Sequence, residues 1–121
     1  MVKPKEDTNN QLKKVFYIEK VEFLRSMMEF ALRAHGAEIY TVATLENNFY
    51  LLDDLSPDLI LFDVGTCRDH LPQLAEYSSK AKLVGVGSME ERALVQTMIS
   101  EYLTKPLEAK KIASRVLALL D

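Results

Sequence analysis

The chain has 121 residues, 48% of them hydrophobic and 27% charged, and a formal net charge of -3. That is room for one domain around one core, with no basic field to attract nucleic acid or anionic lipid. A lone Cys67 excludes an internal disulfide, and the chain has neither a zinc framework, a membrane-length apolar run nor a signal-peptide core. It reads as a cytoplasmic protein without nucleic-acid or membrane partners.

Residues 1–12 are polar and without periodic apolar pattern, which reads as a flexible tail before a single domain at 13–121. From Lys14 onward, short apolar runs alternate with stretches of helical period, the pattern of a parallel sheet wrapped in helices. Val15-Phe16-Tyr17-Ile18 is the first predicted strand, rich in β-branched and aromatic side chains. A helix follows, with Phe23, Leu24, Met27, Met28, Ala31 and Leu32 as its apolar stripe. Gly36 stands where a helix end wants positive φ. A second strand is predicted over 38–42. Thr44 is placed to cap the next helix, with Glu46 and Asn47 early in it and Leu45, Phe49 and Leu52 inward.

Beyond Ser56-Pro57, the run Leu59-Ile60-Leu61-Phe62 is apolar on both faces, as a central strand must be, and it ends at Asp63. A fourth strand is predicted over 82–86, a helix over 89–99, a short fifth strand at Tyr102-Leu103, and a closing helix over 107–120. Strict alternation of this kind implies an α/β fold: a doubly wound, flavodoxin-like three-layer sandwich on a five-stranded parallel sheet of order 2-1-3-4-5.

Such sheets gather reactive groups at the carboxyl ends of their strands. Those ends carry Glu19-Lys20, Asp63, Gly87-Ser88 and Thr104-Lys105-Pro106. Each has an ordinary reading when taken alone: Asp63 caps the turn after its strand, Lys105 is a solvated lysine, and Tyr102 is an edge aromatic. Gly85-Val86-Gly87-Ser88 fits neither G-x-x-x-x-G-K-[ST] nor G-x-G-x-x-G. Cys67 and His70 read as bystanders in the loop after Asp63.

Taken together, Asp63, Ser88 and the Tyr102-Leu103-Thr104-Lys105-Pro106 run resemble the receiver domains of two-component response regulators, from about Lys14 to Asp121. The resemblance implies that Asp63 is the phosphoacceptor and that Ser88 and Lys105 contact the phosphoryl group. It also implies that Lys105-Pro106 is a cis bond and that Tyr102 is the aromatic that changes rotamer on activation. Glu19, Asp63 and the carbonyl of Gly65 would be the metal ligands.

Three departures stand out. Receivers place two acids after the first strand, and the second is a direct Mg²⁺ ligand; here the pair is Glu19-Lys20. An ammonium group supplies no oxygen ligand. At 4 Å and an effective dielectric near 20, two unit charges interact by roughly 4 kcal/mol, so Lys20 close to the site would oppose a divalent ion strongly. Lys20 is therefore expected to pair with Asp63 and replace the cation, and Mg²⁺ binding is expected to be weak or lost. The loop Val64-Gly65-Thr66-Cys67-Arg68-Asp69-His70 lacks the family's proline and distal glycine. The spans from Asp63 to Ser88, 25 positions, and from Ser88 to Lys105, 17 positions, are short, so the third and fourth helices should each lose about a turn.

The expected function is an atypical receiver acting as a protein-interaction module rather than an enzyme, with impaired Mg²⁺-dependent phosphorylation. Its partners would be a histidine kinase or a scaffold. Self-association through the face of the fourth helix, fifth strand and fifth helix (Glu90, Glu91, Tyr102, Lys110 and Lys111) is the expected dimer mode. The alternatives are a working receiver phosphorylated on Asp63 by a histidine kinase, and a small-molecule-binding domain of flavodoxin-like fold.

Overall fold

A computed structural model describes residues 12–121, and the expected tail lies, but for Leu12, outside the described residues. Five strands, β1 (Lys14–Ile18), β2 (Glu38–Val42), β3 (Leu59–Asp63), β4 (Lys82–Gly87) and β5 (Glu101–Thr104), form one sheet. All four pairings are parallel, in the order β2-β1-β3-β4-β5. The predicted architecture and strand order are those observed.

The two faces of the sheet are filled by alternate residues of the same strands. Val15, Tyr17, Leu59, Leu61, Val84 and Val86 face α1 (Glu22–Ala34) and the closing helix, meeting Met28, Leu32, Ile112 and Val116. Phe16, Ile18, Ile60, Phe62 and Leu83 face the other way, onto Leu45, Leu52, Leu74 and Val95. Every residue of β3 is buried, as its continuous apolar run requires.

The helices on the first face are long and those on the second are fragmented. α1 keeps Met28, Ala31 and Leu32 inside, but Phe23, expected in the buried stripe, is 72% exposed and Phe30 is 80% exposed. Gly36 follows α1 with φ of 89°, the left-handed conformation expected of it.

α2 (Phe49–Leu55) starts later than predicted. Thr44 Oγ1 accepts from Glu46 N at 3.1 Å, and the Asn48 side chain donates to Thr44 O at 2.9 Å. Asn47 has φ of 66°, so these residues form a turn ahead of the helix and not its first turn.

The predicted third helix is a relay of short pieces: α3 (Val64–Cys67), a 3₁₀ turn (Arg68–His70), α4 (Leu71–Ala75) and another 3₁₀ turn (Glu76–Ser79). Pro72 sits in the first turn of α4, where its missing N–H costs nothing. The fourth predicted helix shrinks to α5 (Arg92–Val95), and the closing helix, α6, runs over Ala109–Leu120. No helix among the described residues is long and apolar enough to cross a membrane.

Phe62→Ala is expected to lower the stability to urea by about 3–5 kcal/mol, because it opens a void between β3 and the short helices. Phe30→Ser, on the exposed side of α1, should change it by less than about 0.5 kcal/mol.

Candidate functional site

Parallel pairing brings four strand ends to one edge. Ile18 pairs with Phe62, so Glu19 emerges beside Asp63; Asp63 pairs with Val86, and Gly87 with Thr104. Lys105 follows β5 and is fixed by its amide, which donates to Gly87 O at 2.9 Å. Its side chain crosses the end of β4 and places Nζ 3.0 Å from Glu19 Oε1 and 2.9 Å from Asp63 Oδ1. The Lys105-Pro106 bond is cis, as the resemblance implied.

Glu19 is fully buried. A charge in that position must be compensated on the spot, and each of its oxygens has a partner. Tyr17 Oη donates to Oε1 at 3.2 Å and Val21 N to Oε2 at 3.3 Å. Burial, and then the neighbouring Glu19 carboxylate, push the Tyr17 phenol far above its ordinary value.

Asp63 carries two roles at once. Its Oδ2 accepts from Thr66 N at 2.9 Å and Thr66 Oγ1 at 2.6 Å, so it caps α3 as a strand-end aspartate does. Its Oδ1 takes the lysine. Burial alone would raise its pKa, yet the bonds from Thr66 and Lys105 outweigh burial and hold it below the usual carboxylate value. Burial likewise opposes the charge on Lys105, and the two carboxylates reverse this and raise its pKa.

Lys20 is not where it was expected. Its side chain is exposed, and among the described residues it makes no ion pair; the cation on Asp63 is Lys105. Strand β1 ends at Ile18 and the chain bends at Lys20, whose amide donates to Thr66 Oγ1 at 3.3 Å while its side chain stays in solvent.

Ser88 stands one residue past β4, and its hydroxyl accepts from Glu91 N at 3.2 Å. Tyr102 is 8% exposed, and its hydroxyl donates to the Ser88 carbonyl. Its ring lies on Gly85, where a β-carbon would come within 3.1 Å of Cδ1. The Arg92 guanidinium lies 5.9 Å from the ring centroid. Burial first, then the Glu91 carboxylate, raise the pKa of its phenol.

Cys67 packs in the core behind the site, and burial pushes its thiol far above its ordinary value. His70 leans on Phe49 with ring centroids 5.6 Å apart, outside the Glu19, Asp63 and Lys105 cluster. Thr66 was missed in the sequence and Glu91 was placed only on the expected dimer face, although Asp63-x-x-Thr66 and Ser88-x-x-Glu91 both have cap spacing.

No protein-family model and no curated protein matches the sequence. Solved structures do. HP1043, an orphan response regulator of H. pylori, is 23% identical, with a TM-score of 0.79 over 90% of this chain and 97% of that one. A CheY-like response regulator receiver domain protein from Methanospirillum hungatei is 18% identical, with a TM-score of 0.81 over 92% and 95% of the two chains. The chain has the receiver fold. The chemotaxis protein CheY4 of Vibrio cholerae, at 17% identity and a TM-score of 0.77 over 89% and 98%, shares it too.

The lowered pKa of Asp63 stabilises the fold above the ordinary carboxylate value of 3.8, and this contribution is lost as pH falls through the folded value. The raised pKa of Lys105 stabilises below its ordinary 10.5, and this contribution is lost as pH rises through its folded value. Lys105→Met should cost about 3 kcal/mol at neutral pH, because it leaves a buried carboxylate pair without a cation. The gap from wild type in urea midpoint should be widest between those limits and narrow on either side of them.

Proposed function

We propose that this domain is an atypical receiver: a cytoplasmic signalling module that works through protein contacts and depends little on Mg²⁺ and phosphorylation. The observation that carries the reading is the Lys105 ammonium lying between Glu19 and Asp63, 3.0 and 2.9 Å away, where the second acid of receivers is replaced by Lys20.

The donor set fits Mg²⁺ poorly. A magnesium site needs hard oxygens in near-octahedral array. Glu19 Oε1 and Asp63 Oδ1 are both spent on Lys105, Asp63 Oδ2 on Thr66, and Glu19 Oε2 on a backbone amide. No group of three or more His, Cys, Asp or Glu able to hold a metal is found among the described residues. The internal ammonium neutralises one of the two carboxylate charges, which is part of what an external cation would do.

A protein partner, whether a histidine kinase or a scaffold, is supported by exposed apolar side chains on helices that start at this edge. Val21, Phe23 and Phe30 are exposed on and beside α1, and Met89 and Leu94 on and beside α5. The α5–β5–α6 face is the proposed surface for self-association. The net charge of -3 argues against a nucleic-acid partner.

A working receiver, with Asp63 taking a phosphoryl group from a phosphohistidine, is the reading that the exposed position of Lys20 favours. One experiment separates the two. Wild-type protein incubated with acetyl phosphate and Mg²⁺ should show, by intact mass, no stoichiometric gain of a phosphoryl group. Stoichiometric gain that Asp63→Asn abolishes would overturn the metal-independent reading. In addition, Lys20→Asp should restore Mg²⁺ binding by calorimetry if the missing acid is the whole defect.

A further inference from the structure

Residues 88–91 close on themselves. Glu91 N donates to Ser88 Oγ at 3.2 Å, and Ser88 N donates to Glu91 Oε1 at 3.0 Å, a reciprocal cap at the entry to α5. A cap needs only these two bonds, and either Glu or Gln can make them. The surroundings of the carboxylate are more specific than that.

A β-carbon on Gly87 would overlap Glu91 Oε1 and lie 2.7 Å from the Tyr102 hydroxyl. One on Gly65 would lie 3.2 Å from Glu91 Oε2 and 3.6 Å from Asp63 Oδ2. The carboxylate thus lies against two glycines, Gly87 at the end of β4 and Gly65 in α3, where a side chain at either position would crowd it. It shares one of those glycines with Asp63. Arg68 Nη2 lies 3.8 Å from its outer oxygen. Through Ser88 the same group reaches Tyr102: Glu91 holds the Ser88 amide, and the Ser88 carbonyl holds the buried hydroxyl.

We infer that Glu91 is a positioning residue, a built-in anion that holds the Ser88 loop closed and Tyr102 inside with no phosphoryl group on Asp63. This rests on the proposed function, in which the domain keeps one state without phosphorylation, and it names the side chain responsible. The hydrogen bond from a backbone amide to a carboxylate is charge-assisted and roughly twice as strong as its neutral counterpart. A negative charge across Gly65 from Asp63 also opposes the approach of an anionic phosphoryl donor.

The test is NMR in the absence of Mg²⁺ and of any phosphoryl donor, on Glu91→Ala and Glu91→Gln. In Glu91→Ala the Ser88 amide should exchange with solvent about tenfold faster, the factor for losing one charge-assisted bond. The Tyr102 ring signals should broaden and move toward their exposed positions. Glu91→Gln keeps the size and the cap but not the charge, and it should show about half of that change in free energy, roughly threefold faster exchange. A Gln variant indistinguishable from wild type would mean a helix cap and nothing more, and would overturn the inference. An unchanged Ala variant would do so as well. If the Ala variant fails to fold, the Gln variant alone decides. Phosphorylation of the wild type by acetyl phosphate would sink the metal-independent reading, yet this donor-free comparison would stand or fall separately.

Discussion

A single ammonium group, that of Lys105, makes the carboxyl edge of this sheet possible. Two neighbouring parallel strands deliver Glu19 and Asp63 side by side, one fully buried and the other nearly so. Two such carboxylates repel, and without a cation one of them would take up a proton. The lysine comes from the far side of β4, so the sheet order is part of the electrostatics. The strand it crosses ends in Gly87, whose carbonyl accepts from the Lys105 amide and fixes where the lysine starts.

That dependence links packing to chemistry. Gly85 and Gly87, which weaken a strand by their lack of side chains, here provide the space in which Tyr102 lies flat and the Ser88 loop folds over. The α1 and α6 face carries an uninterrupted apolar core. The opposite face is covered by short helical pieces around Leu45, Leu52, Leu74 and Val95. The edits in chain length fall on the pieces bordering Asp63 and Ser88, so the site is framed by turns and caps more than by long helices.

The strand ends were legible because period-2 and continuous apolar runs mark strands, and the residues just past each run are then identified by position. Asp63, Lys105 and Tyr102 are found at the edge where they were expected. The helices were less legible. Phe23 and Leu24 fit a helical stripe equally well, but in the packed helix Phe23 is exposed and Leu24 half-buried. Thr44 looked like a cap, and the Asn47 turn postponed the helix to Phe49. Glu91 looked like a surface charge, because the glycines it lies against are 4 and 26 positions away in sequence.

By itself the sequence determined the alternation of elements, the parallel sheet and the residue types at its carboxyl edge. These follow from local periodicity and from where apolar runs stop. Only the tertiary structure decided which lysine meets Asp63. Lys20 is adjacent to Glu19 in sequence but lies in the bend after β1 with its side chain exposed, while Lys105, 42 positions beyond Asp63, is brought to it across β4. Charge pairing at a strand edge is set by side-chain direction and strand order, and neither is a property of neighbouring residues.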